Sequence, residues 1–227
     1  MADKANPGMR QFLFENRFLL LLMLFFVTLL VGSFIHDYLK LRYIFDLAIS
    51  AIFIFAIYAI AEKNRQLIIT ICFAVPMFVS LWTRYFTDLE ALSVTGEICG
   101  IFFFGYSIYC IANYLLKQRE INREAIFAAL VIYMLLAFMW ARAYSLLEVL
   151  SPGSFGFPEG NVFQNRVVYL YYSFVTITTL GYGDITPLTD KASGLAIVEA
   201  IIGQFYLVVL VAWLVGMYIS KRQNEAG

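Results

Sequence analysis

The stretch Thr178-Thr179-Leu180-Gly181-Tyr182-Gly183-Asp184 sets hydroxyls, glycines, a phenol and a carboxylate into otherwise apolar sequence. Its chemistry is that of oxygen donors. A short row of carbonyl and hydroxyl oxygens facing one way can replace the hydration shell of a permeating cation. Such a row needs backbone angles that a β-carbon disfavours, and Gly181 and Gly183 meet that need at alternate positions. Irregular backbone of this kind is tolerated at membrane depth only where protein buries it or where it lines a watery cavity. The stretch therefore depends on the elements that flank and hold it.

Those elements are apolar. Of the 227 residues, 62% are hydrophobic, 18% aromatic and 14% charged, more apolar surface than a soluble domain of this size can hide. The formal net charge is zero, so the charge balance points to no nucleic acid or other polyanion as partner. A span needs roughly 20 mostly apolar residues. Residues 18–35, 43–61, 67–83, 92–116, 125–147 and 192–220 are the candidates, and Pro76 is expected to kink the third. Segment 167–178 is too short to cross and reads as a re-entrant helix, preceded by a Gly- and Pro-rich loop at 151–161. The fold class expected is an all-α membrane protein with six transmembrane helices, a re-entrant pore helix and a filter loop. Basic residues before residue 18 precede a run long enough to span, with no small-residue cleavage site behind it, so no cleavable signal is read. Cys72, Cys99 and Cys110 have neither CxxC spacing nor a nearby histidine and read as small buried packing residues.

From about residue 168 to residue 219 the chain resembles the pore unit of tetrameric potassium channels of the prokaryotic kind, on its T-x-G-Y-G at 179–183 between apolar helices. The resemblance implies a potassium selectivity filter of Thr179, Leu180, Gly181, Tyr182 and Gly183, with the permeant ion held at the first four. Leu180 stands where the family's commonest residue is Val; its carbonyl would still face the ion, so a small effect on selectivity is expected. Thr178, Tyr171, Tyr172, Asp184 and Glu199 are the expected filter support and outer mouth. Tyr171 and Tyr172 occupy the positions of an aromatic cuff, with ordinary interfacial aromatics as the other reading. Asp184 resembles the outer-mouth acid and would accept a hydrogen bond from the re-entrant helix, where Val175 leaves it one partner short.

Gly203 stands at the family's hinge glycine, and close helix packing is the competing role. Gln204, Leu207, Val211 and Val215 follow at helical spacing and resemble the cavity-lining face, apolar enough to close by dewetting. Gly216 is a second soft point. Glu199 is an intramembrane acid and so a functional candidate, either bonded to Tyr or Thr hydroxyls behind the filter or protonated and structural.

Counting Lys and Arg with the amino end inside gives ten on the cytoplasmic side against six outside, Arg142 among the six. The family's outward-facing filter demands the same orientation. The organisation expected is a cytoplasmic segment (1–16), a four-span, voltage-sensor-like domain (17–116), an interfacial linker (117–124), a pore domain (125–220) and a short cytoplasmic tail (221–227). The fourth span carries no Lys or Arg, and its charge is Glu97, so steep voltage sensing is not expected. His36 reads as a surface histidine at a helix end.

The reading is a homotetrameric potassium channel of the plasma membrane, surrounded by lipid, with both termini cytoplasmic. It is no enzyme, needs no cofactor beyond its permeant ion, and any nucleotide or calcium control would require an accessory cytoplasmic subunit. A weakly selective cation channel and a non-conducting membrane sensor subunit are the alternatives.

Overall fold

The computed structural model describes residues 15–34, 50, 52, 54–57, 64–83, 90–118, 122–157 and 166–226. Its elements in order are α1 (Arg17–Phe34), α2 (Asn64–Thr83), α3 (Glu90–Leu116), α4 (Arg123–Leu150), β1 (Phe155–Gly156), α5 (Arg166–Ile177), β2 (Thr186–Pro187) and α6 (Asp190–Ala226). The protein is thus mostly helical, as an apolar solvent requires, because a helix satisfies its backbone groups within one segment. Among the described residues, four helices are long and apolar enough to cross a membrane: α2, α3, α4, and α6 over Asp190–Met217. Helix α1 adds a shorter apolar stretch, Arg17–Leu30. Of the predicted second span, 43–61, residues 50, 52 and 54–57 are helical, and the remainder lies outside the described residues. His36 also lies outside them.

Several boundaries move. Arg123 and Glu124, read as the end of the linker, form the first turn of α4. Asn122 is the cap, its side chain accepting from the Ala125 amide at 2.7 Å. Helix α4 also runs past residue 147 to Leu150, where the Ser151 amide closes on the Leu147 carbonyl at 2.8 Å. Pro76 lies inside α2 without ending it. Helix α6 begins at Asp190 behind Thr189, whose hydroxyl accepts from the Ala192 amide at 3.3 Å, and it continues beyond residue 220. Of the three cysteines expected to be buried, Cys110 is buried, Cys99 is half-buried and Cys72 is exposed.

Helix α4 is the axis of the core, with 67% of its spanning window buried. Phe138 shows why: its ring meets Phe25 of α1 at 5.0 Å, Phe104 of α3 at 5.7 Å and Phe174 of α5 at 6.2 Å. One side chain touches three helices. Aromatic residues suit such crossings because each carries a large contact area in one rigid body.

The front half meets the same helix through a buried ion pair. Arg142 Nη1 of α4 lies 3.3 Å from Glu97 Oε2 of α3, and the Ser145 hydroxyl donates to Glu97 Oε1 at 3.0 Å. Arg142 was counted as an outer-side cation; buried and neutralised, it no longer bears on orientation. At the opposite end of α4, the Phe18 amide donates to Glu124 Oε2 at 3.3 Å, and the Arg17 guanidinium lies 5.0 Å from the Tyr114 ring.

Candidate functional site

Helix α5 has 12 residues, about 18 Å at the helical rise, against a hydrocarbon layer of about 30 Å. It cannot cross, and it ends where the oxygen-rich stretch begins. Its end is fully accounted for. The Thr178 amide returns to the Phe174 carbonyl at 3.2 Å and the Thr179 amide to Thr176 at 3.0 Å. The Leu180 and Gly181 amides both return to Val175, at 2.9 and 3.2 Å. The Ile177 carbonyl accepts the Tyr133 hydroxyl of α4 at 3.0 Å. This is a Schellman-type termination, which needs a left-handed residue just beyond the cap.

That residue is Thr179, at φ 58°. A β-branched side chain rarely adopts this conformation, and the cost is about 1–2 kcal/mol. Sequence reasoning assigned positive angles to the glycines alone; nothing in a threonine's type announces one. Gly181 and Gly183 follow at φ 58° and 76°, so every second residue from 179 to 183 is left-handed. Alternation of this sort turns successive carbonyls to a common side, where a regular strand would alternate them. Residues 178–184 are all exposed in the single chain, with Tyr182 at 67%. The Thr178 hydroxyl folds back on the Phe174 carbonyl at 2.6 Å.

The two tyrosines paired in the sequence part company. Tyr171 is exposed, and its hydroxyl donates to Asp184 Oδ2 at 2.7 Å. Asp184 thus accepts the hydrogen bond expected from this helix, and Tyr171 is its donor. Tyr172 is buried, its ring edge-on to Tyr144 at 4.9 Å and to Phe155 at 5.4 Å. Phe155 belongs to a strand pair that the sequence reading missed. Phe155 pairs with Pro187 and Gly156 with Thr186, antiparallel, and the Leu188 amide donates to the Ser154 carbonyl at 2.8 Å. Glu148 anchors this loop, accepting from the Gly153 and Ser154 amides at 2.7 and 3.0 Å. The segment after residue 184 is thereby tied to the loop before α5. Two-residue strands leave no periodic signal in sequence, so only the fold reveals them.

Behind α5, Glu199 of α6 is fully buried. Its two carboxyl oxygens meet the hydroxyls of Tyr144 and Ser173, and Ser173 also lies 2.8 Å from the Ala137 carbonyl. Of the two readings of Gly203, the packing role has the geometry. A β-carbon there would sit 2.6 Å from Ile177 Cγ1 and 2.7 Å from its carbonyl oxygen. Helix α6 runs unbroken through this point. Tyr206, one turn on, donates to the Ala129 carbonyl at 2.5 Å and stacks on Tyr133 at 5.8 Å. Gln204, Leu207, Val211 and Val215 are exposed along α6, as are Ile201, Phe205 and Val208, so this helix shows little of itself to its own chain. Gly216 has open space around it.

A 12-residue apolar helix too short to cross, an exposed oxygen-rich stretch with left-handed residues at alternate positions and a long apolar helix are the parts of a membrane protein. Residues 125–220 match the family model described as an ion channel, in keeping with the potassium-channel resemblance of the sequence. Comparison with curated proteins and with solved structures returns no match.

Proposed function

We propose that the chain is one subunit of a homotetrameric potassium channel, in which the oxygens of residues 179–183 from four copies strip and hold the permeating ion. The observation that carries this reading is the positive φ at Thr179, Gly181 and Gly183 in an exposed T-x-G-Y-G stretch at the end of a re-entrant helix. Four copies are needed because a filter of this type surrounds the ion with four strands. The broad exposure of α6 fits a helix that lines an axis and meets other copies. The carboxyl-terminal dipole of α5 would favour a cation beneath the filter, and Asp184, steadied by Tyr171, would concentrate cations at the mouth. Potassium then flows passively, with Gln204, Leu207, Val211 and Val215 lining the inner path and both termini in the cytoplasm.

Purified protein in liposomes under opposed potassium and sodium gradients tests this reading. A reversal potential close to the potassium equilibrium value is expected. A value near zero would leave a weakly selective cation channel, and absence of flux would remove the channel reading for the isolated chain.

A further inference from the structure

We propose that Glu199 is held as a neutral carboxylic acid and acts as the positioning residue that locks α5 behind the filter. The proposal rests on the channel reading for its consequence, but its ground is a proton count. Three oxygen–oxygen contacts meet here: Tyr144 Oη with one carboxyl oxygen of Glu199, Ser173 Oγ with the other, and Ser173 Oγ with the Ala137 carbonyl. Each contact needs a proton of its own. The Tyr144 and Ser173 hydroxyls bring one each, while an ionised carboxylate and a carbonyl bring none.

Two protons cannot fill three contacts. Glu199, Ser173 and Tyr144 are each 0% exposed, so bulk water does not reach the shortfall. A lone-pair-to-lone-pair approach between a hydroxyl and a buried carboxylate is unfavourable. The buried arginine of α4 offers no compensation, because Arg142 is committed to Glu97. One proton on the Glu199 oxygen that faces Ser173 closes the count. Glu199 then donates to Ser173, Ser173 donates to the Ala137 carbonyl, and Tyr144 donates to the second carboxyl oxygen. Every hydroxyl proton is used once. The chain of bonds joins α6, α5 and α4, and Ser173 lies six residues before Thr179 on the helix that delivers the oxygen row.

A neutral acid and an amide offer the same pattern here, one donor towards Ser173 and one acceptor towards Tyr144. Glu199→Gln is therefore expected to keep sustained potassium current within about twofold of wild type, whereas Glu199→Ala, which strands a buried hydroxyl, lowers it about tenfold or more. Equal damage from both would show that the negative charge is required and would overturn the proposal. Infrared spectroscopy of the purified tetramer supplies a readout that needs no flux. The difference spectrum of wild type and Glu199→Gln is expected to contain a protonated-carboxyl C=O stretch, and Tyr144→Phe is expected to move that band to higher frequency without removing it. Should Glu199→Gln fail to assemble, the difference spectrum of wild type and Tyr144→Phe decides the matter by the shift of a protonated-carboxyl band, and a shift confined to carboxylate bands overturns the stored proton. Wild type without potassium flux but with the band would remove the channel reading alone.

Discussion

At Thr179 the backbone takes a conformation that its side chain opposes, and that conflict separates stability from function. Thr179→Gly relieves about 1 kcal/mol or more per subunit, so the assembled protein is expected to melt at the same or a higher temperature. The hydroxyl oxygen at the inner end of the row is lost, however, and potassium over sodium selectivity is expected to fall. Thermal unfolding and reversal potentials on the same preparation check both halves; a less stable Thr179→Gly would show that the left-handed strain has been misjudged. Gly181→Ala behaves oppositely. Nothing lies within 4 Å of the new methyl, yet φ there is 58°, so the strain is in the backbone itself. At about 1–2 kcal/mol per copy, four copies are expected to abolish potassium current while tetramers still form, as size-exclusion and single-channel recording would show.

At the scale of the element, α5 is placed by contacts along its whole length. Tyr133 and Gly203 meet its end at Ile177, Ser173 and Tyr172 hold its middle, and Tyr171 reaches to Asp184. This changes what Gly203→Ala should do. If Gly203 only loosened α6, alanine would stabilise the helix by up to about 1 kcal/mol through propensity. With the Ile177 carbonyl 2.7 Å from the added carbon, one helix has to move, and overpacking of this kind costs about 1–3 kcal/mol. A lower melting temperature together with reduced open probability is the expected outcome. A raised melting temperature would return the residue to the hinge role.

For the molecule as a whole, the front half and the pore half share one core and one buried ion pair. Glu97 was the sole charge of its span, and its partner proves to be Arg142 of the pore's outer helix. Removing one member leaves an uncompensated buried charge, at about 3–5 kcal/mol, while removing both costs far less. Glu97→Gln or Arg142→Gln alone is therefore expected to destabilise strongly and the double substitution to recover most of the loss, read by a thermal double-mutant cycle. The same pairing bears on voltage. One charge crossing the field is worth about 2.3 kcal/mol per 100 mV, but α3 holds no Lys or Arg, and its Glu97 is paired with the opposite charge of Arg142 on α4. The conductance–voltage relation of reconstituted channels is expected to be shallow, and a steep sigmoid flattened by Arg142→Gln would contradict this.

The helical pattern of the described segments and the oxygen-rich stretch at 178–184 were legible in sequence, because long apolar runs and paired glycines leave local signals that need no partner. Charge counting along the chain offered an orientation, though it could not see that Arg142 is neutralised inside the core. The left-handed Thr179, the β1–β2 tie and the Glu148 anchor had no comparable signal, and for Asp184 the sequence offered the helix but not the donor. The first and third are set by backbone geometry within a few residues and the second by pairing across α5, and a residue's type discloses neither. The role of Gly203 was the clearest case: hinge and packing contact share one glycine in one sequence position, and only the carbonyl of Ile177 standing against it distinguishes them. Glu199 was legible as a costly acid in an apolar helix; its two hydroxyl partners, and hence its proton, come from the tertiary structure, because α4 and α5 supply them from 55 and 26 residues away.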